Sequence, residues 1–198
     1  MKKCIIVTGI PAAGKSTMAA YLSKSLKLPL ISKDKIKEQL FDEIGFQSRE
    51  EKNQLGATAM HLMYGMADEL MRCELPFILE NNFENVSREG LMELLNRHGY
   101  WGITVTMTGD YHVIYDRFVD RNQSPERHRG HVVNDCYPEK EPGHYVAPPS
   151  YEGFVSGIQK RGMDSFAANG RQIVVDTTDW TKVDFDMLRS CLHEELYR

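Results

Sequence analysis

The sequence has few cysteines, no long apolar run and no excess of positive charge. Its four cysteines are scattered, at Cys4, Cys73, Cys136 and Cys191, and form no C-x-x-C pair. A disulfide framework is therefore not expected, and reduced thiols in a cytoplasmic protein are the simpler interpretation. No stretch approaches the roughly 20 apolar residues of a membrane-spanning helix, so we expect no membrane partner. The formal net charge of −4 argues against non-specific nucleic-acid binding, although it leaves room for a local basic cleft.

What is present is the profile of an ordinary globular protein. The chain has 198 residues, of which 41% are hydrophobic and 26% are charged, enough for one domain with a substantial core. We expect residues 1–198 to form this single domain. Residues 122–150 are basic at first and then rich in proline and glycine, which predicts an extended surface loop or lid within the domain.

Short apolar runs alternate along the chain with segments of helical periodicity. The predicted strands are residues 5–8, 30–31, 77–79, 102–107 and 172–175, and the predicted helices are residues 16–26, 33–41, 49–73, 87–97, 111–119, 154–168 and 180–196. Asn85 or Ser87 is the expected N-cap of the fourth helix. This alternation predicts a three-layer α/β fold, with a central five-stranded parallel sheet between two layers of helices. Ligands bind such sheets at the carboxyl ends of the strands.

Residues 9–16 carry the most specific motif. They read Gly-Ile-Pro-Ala-Ala-Gly-Lys-Ser, a full match to G-x-x-x-x-G-K-[ST]. Between a strand and a helix, this motif is a P-loop whose backbone amides wrap phosphate groups. We expect Lys15 to neutralise the β- and γ-phosphates of a nucleotide, and the Ser16 hydroxyl to ligate Mg²⁺. The other expected nucleotide-binding residues of this segment are Gly9, Ala12, Ala13, Gly14 and Thr17.

The expected nucleotide is ATP with Mg²⁺. The sequence has no N-K-x-D motif for guanine and no D-x-x-G after a predicted strand. GTPase-type switching is therefore the weaker interpretation, although the P-loop alone does not select the base.

By the order of its motifs, the chain resembles the small P-loop kinase superfamily, especially its polynucleotide-kinase-like, zeta-toxin-like and chloramphenicol-phosphotransferase-like branch. Besides the P-loop, the resemblance is carried by Ser-Lys-Asp-Lys-Ile-Lys at 32–37, Glu-Asn-Asn-Phe at 80–83, Arg-Phe-x-x-Arg at 117–121, Arg-His-Arg-Gly-His at 127–131 and Val-Asp-Thr-Thr-Asp at 175–179. These segments span nearly the whole chain. The resemblance implies a P-loop NTPase fold with a basic lid. It also implies ATP- and Mg²⁺-dependent transfer of a phosphoryl group to a hydroxyl of a small molecule or of a nucleic-acid end.

The resemblance further implies roles on the acceptor side of the cleft. Asp34 would be the general base or would orient the acceptor hydroxyl, although Ser32 and Asp34 are also good helix caps. Lys37, one helical turn on, would face the same cleft. The polynucleotide-kinase-like pattern has arginine at that position, which weakens the case for a polynucleotide substrate. Glu80 would bind Mg²⁺ through water or contact the acceptor, unless backbone amides satisfy it, and Asn82 would donate a hydrogen bond to the acceptor.

Four arginines and two histidines lie between residues 117 and 131. By the resemblance, Arg121 and Arg127 would stabilise negative charge on the transferring phosphoryl group. Arg117 would contact the nucleotide, unless it pairs with its acidic neighbours on an exposed helix face. Thr177 would complete the nucleotide side, with adenine near residues 176–179.

Two clusters of residues are compatible with more than one interpretation. A zinc site could use His128, His131, Cys136 and His144, but their spacing matches no metal motif and a solvated or phosphate-facing cluster is simpler. The helix predicted at 49–73 carries Met60, Met63, Met66 and Met71. Methionines at helical spacing are typical of a core, but they could also line an adaptable acceptor pocket.

Two other functions stay open at this point. In a nucleoside monophosphate kinase the acceptor is itself a phosphate and needs no general base. An ATP-binding regulatory module would bind the nucleotide without transferring its phosphoryl group. Asp34 and the arginine-rich segment argue against this second function.

Overall fold

In the computed structural model, which describes residues 2–141 and 145–198, five parallel strands form a single sheet. They are β1 (Lys2–Gly9), β2 (Leu30–Ser32), β3 (Ile78–Glu80), β4 (Tyr100–Thr108) and β5 (Gln172–Asp176). Their order across the sheet is β2-β3-β1-β4-β5. The described helices are α1 (Lys15–Leu26), α2 (Lys33–Ile44), α3 (Arg49–Arg72), α4 (Asn85–His98), α5 (Tyr111–Gln123), α6 (Arg129–Val132), α7 (Tyr151–Arg161) and α8 (Phe185–Tyr197).

The central strand β1 is buried on both faces, as its apolar sequence requires. Ile5 and Val7 join a core with α1, α8 and part of α7. Cys4 and Ile6 point to the opposite face, where they join a second core with α3 and α4. Because alternate residues of a strand face opposite sides of the sheet, β1 connects both helical layers. The predicted three-layer fold is confirmed.

Strand β1 ends at Gly9, beside Met107 of β4. The φ angle of Gly9 is 125°, and a Cβ there would lie only 1.9 Å from the backbone oxygen of Met107. Any side chain at this position would force the two strands apart. The glycine is therefore needed for the sheet as well as for the turn into the P-loop.

Two helices near the end of the chain differ markedly from their predicted bounds. The helix predicted at 154–168 stops at Arg161, because Gly162 takes a left-handed conformation and its N–H bonds the carbonyls of the last turn. The helix predicted at 180–196 is divided: a 3₁₀ turn at Trp180–Lys182 precedes α8. The carboxylate of Asp184 accepts a 2.8 Å hydrogen bond from Met187 N and so caps the start of α8.

Helix α4 also begins earlier than predicted, and neither expected cap is its N-cap. Glu84 occupies the N-cap position and makes no side-chain capping bond. Asn85 is already the first helical residue. The hydroxyl of Ser87 donates back to the carbonyl of Glu84 over 2.7 Å, so it satisfies an oxygen rather than a free amide of the first turn.

The methionines of α3 mostly serve the core. Met63 and Met71 are buried and Met60 packs against the same cluster, whereas Met66 is half exposed. Among the described residues, no helix combines the length and the apolarity needed to cross a membrane.

The segment predicted as a loop or lid, residues 122–150, contains more structure than expected. Helix α5 extends into it as far as Gln123, and α6 follows at Arg129–Val132. No regular helix is present in residues 133–141 or in residues 145–150. The predicted lid residues Pro142, Gly143 and His144 lie outside the described residues.

Candidate active site

A cavity of about 570 Å³ opens at the carboxyl ends of β1 and β3. It brings together most of the residues predicted from sequence. The predicted residues on its wall are Ala12, Gly14, Lys15, Ser16, Thr17, Asp34, Lys37, Glu80, Asn82, Arg117, Arg121 and Arg127. Gly9 and Ala13 lie behind this wall, where both are buried.

The P-loop curls around the side chain of its own lysine. Lys15 is 8% exposed and its Nζ donates a 2.8 Å hydrogen bond to the carbonyl of Ile10. Burial lowers the pKa of Lys15 to about 8, although the nearby carboxylates of Glu80 and Asp34 act in the opposite direction. The carbonyl of Ile10 thus holds the ammonium group inside the loop, on the wall of the cavity.

Gly14 at the start of α1 allows a close contact with the far end of the chain. Its φ angle is 82°, and a Cβ there would lie 1.9 Å from Cζ2 of Trp180. The indole ring stacks in turn on Phe185, with ring centroids 5.8 Å apart. The residues after β5 therefore support the P-loop from outside the cavity.

Glu80 at the end of β3 joins the P-loop to β2. Its carboxylate accepts a 3.3 Å hydrogen bond from Ser16 Oγ at Oε1 and a second bond from Ser32 Oγ at Oε2. Burial raises the pKa of Glu80, while the bond from Ser32 and the charge of Lys15 act to lower it. A hydroxyl and a carboxylate adjacent to a phosphate-binding loop are oxygen ligands of the kind that Mg²⁺ prefers, so the residues present fit this ion.

Asp34 stands in the first turn of α2 and faces the cavity. Ser32 is the N-cap residue, but its hydroxyl goes to Glu80 instead of capping the helix. Loss of surrounding water acts to raise the pKa of Asp34, but the charge of His131 in its protonated form and the charges of Arg127, Lys37 and Lys15 outweigh this effect. Burial lowers the pKa of His131 itself, so Arg127, Lys37 and Lys15 supply the positive charge at neutral pH. The pKa of Asp34 therefore lies below its ordinary value, and the carboxylate is ionised at neutral pH.

Arg121 and Arg127 present unpartnered donors at the cavity. The Nε atom of each is buried and has no hydrogen-bond partner among the described residues. Burial, followed by the charge of Arg127, lowers the pKa of Arg121 to about 10, and burial also lowers the pKa of Arg127. Buried donors without partners are rare in proteins. Both arginines line the cavity, so these donors are available to a group bound there.

Arg117 does not form the exposed ion pairs considered as an alternative. Its Nη1 donates to the carbonyl of Thr177 over 2.6 Å and its Nη2 to that of Thr178 over 2.9 Å. These bonds fix the guanidinium between α5 and the loop that follows β5.

The predicted nucleotide-side residue Thr177 has a fully buried side chain. Its hydroxyl lies 2.9 Å from the carbonyl of Thr108 and 3.2 Å from that of Ala13. The side chain is absent from the cavity wall, so Thr177 ties the P-loop to β4 and β5 instead of facing the cavity.

The two histidines after Arg127 bind carboxylates of α2. His131 Nε2 lies 2.9 Å from Glu38 Oε1, and His128 Nε2 lies 3.0 Å from Asp42 Oδ1. Within residues 2–141 and 145–198, no three His, Cys, Asp or Glu side chains converge on a point where a metal could bind. The fourth residue of the suggested zinc set, His144, lies outside the described residues.

The sequence matches the family model AAA_33, an AAA domain, over residues 4–136, more than half of the chain. The chain belongs to this family. The AAA_33 domain described here is also similar to a protein of Chloroflexus aurantiacus J-10-fl that is inferred to be a kinase, with 27% identity, a TM-score of 0.79 and 97% coverage of both chains. A search of the curated proteins found no match.

More distant solved structures show the same fold. A sugar kinase of Janibacter sp. HTCC2649 is 13% identical with a TM-score of 0.55, over 97% of this chain and 92% of that one. A gluconokinase of Sinorhizobium meliloti 1021 is 14% identical with a TM-score of 0.52, over 99% and 96%. The AAA_33 domain thus has the fold of the P-loop kinase superfamily, whereas its branch within the superfamily stays a prediction.

The cavity of this AAA_33 domain has further lining residues that were not predicted. They are Pro11, Lys33, Asn81, Glu84, Phe118 and Arg161. Lys33 belongs to the segment 32–37, which resembles the P-loop kinase superfamily, so the sequence around it did indicate a place near the site. Arg161 ends α7 and has no motif around it, and only the fold brings it to the cavity.

Proposed function

We propose that this AAA_33 domain is an ATP- and Mg²⁺-dependent kinase that transfers the γ-phosphoryl group to a hydroxyl. One observation carries the proposal. The buried ammonium of Lys15 and the guanidinium groups of Arg121 and Arg127, whose Nε atoms have no partner among the described residues, share one cavity with the ionised carboxylate of Asp34. This combination provides both phosphate binding and a group that can accept a proton.

The triphosphate would bind in the curl of the P-loop. Backbone amides at the start of α1 would donate to the phosphates, and Lys15 would exchange its bond to the Ile10 carbonyl for bonds to phosphate oxygens. Arg117, fixed against the loop after β5, would contact the nucleotide, with adenine near residues 176–179.

Mg²⁺ would be held by the Ser16 hydroxyl, with the Glu80 carboxylate beside it. Bound there, the ion would neutralise charge that develops between the β- and γ-phosphates. The bond of Ser32 to Glu80 fixes the carboxylate so that one oxygen stays directed toward Ser16.

Asp34 would act on the acceptor. The hydroxyl oxygen forms a bond to the γ-phosphorus, and the bond to the β–γ bridging oxygen breaks with its electron pair leaving on ADP. The hydroxyl proton passes to the Asp34 carboxylate. Because neighbouring cations keep this carboxylate ionised, it can accept a hydrogen bond from the acceptor hydroxyl at neutral pH and takes up the proton as the new bond to phosphorus forms.

Arg121 and Arg127 would stabilise the charge on the transferring group. Their buried Nε atoms have no protein partner among the described residues, so donation to phosphate oxygens would satisfy them. Such contacts act most strongly where water is excluded.

The proposal is tested by incubating the protein with ATP, Mg²⁺ and a metabolite library, with transfer of the γ-phosphoryl group as the readout. We expect phosphorylation of an acceptor by the wild type and its loss in Lys15→Ala. The exposed Lys24→Ala is the matched control and should retain activity. Calorimetry that detects no affinity for ATP in the presence of Mg²⁺ would refute the proposal.

A further inference from the structure

A second groove continues from the candidate active site along the acceptor side. Its volume is about 470 Å³, and it runs between α2, α3 and the start of α4. Four residues line both the groove and the nucleotide cavity, namely Lys33, Lys37, Glu84 and Arg161. A molecule in the groove could therefore reach Asp34 without leaving the protein surface.

The groove carries more positive charge than its carboxylates balance. Lys33 and Lys37 are one turn apart on α2, a spacing at which like charges repel. Neither lysine forms an ion pair or a hydrogen bond with any residue in the part of the chain that the structure describes. The Nζ atom of Lys37 lies 5.2 Å from the centroid of the Phe41 ring. Burial, then the charge of Lys33, lowers the pKa of Lys37, although the carboxylates of Asp34 and Glu84 act in the opposite direction.

The opposite side of the groove adds a third cation. Arg161 Nη1 lies 3.3 Å from Glu84 Oε1 and its Nε donates to Gly157 O over 3.0 Å, so the guanidinium is held at the junction of the two cavities. On the wall formed by α3, the Lys37 side chain lies close to Gly56: a Cβ built on this glycine would contact Cε of Lys37 at 3.5 Å. The three cations therefore line the same groove, with Lys37 against α3 and Arg161 at the end of α7.

We propose that this groove binds an anionic group of the phosphoryl acceptor, which is a small hydroxylated anion. Its hydroxyl lies at Asp34, and its carboxylate or phosphate group lies among Lys33, Lys37 and Arg161. This inference rests on the proposed kinase function. It adds the substrate class that the P-loop and Asp34 leave undefined.

The groove favours a small acceptor over the end of a nucleic acid. Polynucleotides bind to rows of cations that follow several phosphates, whereas this groove offers three cations around one space. Glu84 stands among them and the whole chain has a net charge of −4. One anionic group matches this arrangement better than a polyanion.

The test measures binding instead of turnover, so it does not require the natural acceptor. The protein is first saturated with Mg²⁺ and AMP-PNP, a nonhydrolysable ATP analogue, which fills the P-loop. It is then titrated with three six-carbon probes, sorbitol, gluconate and sorbitol 6-phosphate, and binding is followed by NMR. A 5′-hydroxyl oligothymidylate is the fourth probe.

We expect gluconate or sorbitol 6-phosphate to bind more tightly than neutral sorbitol, and the tighter of the two identifies the anionic group. Lys33→Ala should weaken that binding about tenfold, the usual effect of losing one charged hydrogen bond. Lys35→Ala makes the same change on an exposed part of α2 outside both cavities and should leave the affinity within about twofold. Lys33→Arg should retain binding of the anion.

The other outcomes separate the two proposals. If AMP-PNP itself does not bind, the kinase proposal fails and this inference fails with it. If AMP-PNP binds but neither anion exceeds sorbitol, or Lys33→Ala has no more effect than Lys35→Ala, only the present inference is refuted. Oligothymidylate that binds more tightly than both six-carbon anions, in a manner sensitive to Lys33→Ala, would refute the assignment of a small acceptor.

Discussion

The hydroxyl of Ser16 donates a 3.3 Å hydrogen bond to Oε1 of Glu80, and so joins the P-loop helix to the end of β3. Because Ser32 holds the other carboxylate oxygen, three elements of the fold fix the geometry around one acidic group. That group is 3% exposed and lies close to Lys15. A buried charge held in this way costs stability unless it has a function or a firm partner.

Glu80→Gln should raise the Mg²⁺ requirement of nucleotide binding. The amide is nearly the same size as the carboxylate but carries no charge, so the Mg²⁺ concentration for half-maximal AMP-PNP affinity should rise about tenfold. Glu89→Gln changes an exposed carboxylate of α4 and is the matched control. A lower melting temperature without any change in the Mg²⁺ titration would show that Glu80 is only structural.

Asp34→Asn distinguishes a hydroxyl acceptor from a phosphate acceptor. For a hydroxyl, loss of the general base should lower kcat at least about 10²-fold. A nucleoside monophosphate kinase needs no base and would keep nearly full turnover. The change is measured as kcat with the acceptor found in the library screen, beside Asp116→Asn on the exposed side of α5. Nearly full turnover of Asp34→Asn on a hydroxyl acceptor would exclude the assigned role.

Nucleotide affinity should fall as the pH rises above neutrality. The pKa of Lys15 is lowered to about 8, so the ammonium is mostly protonated at about pH 7 and mostly neutral at about pH 9. Since the protonated form binds phosphate, ADP affinity should fall about tenfold across this interval, as the protonated fraction does. Lys15→Ala should bind weakly at both pH values. The pH dependence of ADP affinity in Lys15→Ala is the necessary comparison, because burial lowers the pKa of Lys52 to about 8 as well. If the affinity of Lys15→Ala falls with pH as steeply as that of the wild type, a group other than Lys15 causes the effect.

The fold was predictable because its signals are local. The run from Ile5 to Thr8 is typical of a parallel strand buried on both faces, and the P-loop motif predicts the turn that follows it. Element ends were less predictable. Gly162 stops α7 through a left-handed conformation, and the sequence around it gives the same helical periodicity on both sides.

The candidate site was predictable where short motifs carry it, as at Lys15 and Asp34. It was not predictable where a contact joins distant segments. Arg161 reaches the cavity from the end of α7, and Thr177 turns its hydroxyl to the P-loop. Neither orientation follows from neighbours in sequence, because the packing of α7 and β5 against the rest of the domain decides it.

Lys52 is another residue for which the sequence gave no functional signal. It lies on α3 and is 7% exposed. Its Nζ donates to the carbonyl of Val133 over 2.5 Å, to Asn134 Oδ1 over 3.1 Å and to the carbonyl of His131 over 3.2 Å. A single ammonium group thus holds the segment that follows Arg127 against the helical layer.

Lys52→Met should release this segment. The substitution leaves polar oxygens of residues 131–134 without their donor, so the free energy of unfolding should fall by about 1–3 kcal/mol. Amide hydrogen exchange should rise in residues 129–134, and kcat should fall because Arg127 and His131 are positioned by the same segment. Lys24→Met on the exposed face of α1 should change none of these quantities. If exchange in residues 129–134 rises no more in Lys52→Met than in Lys24→Met, then the cluster of Phe41, Phe46 and Val133 is sufficient to hold the segment, and Lys52 is not its anchor.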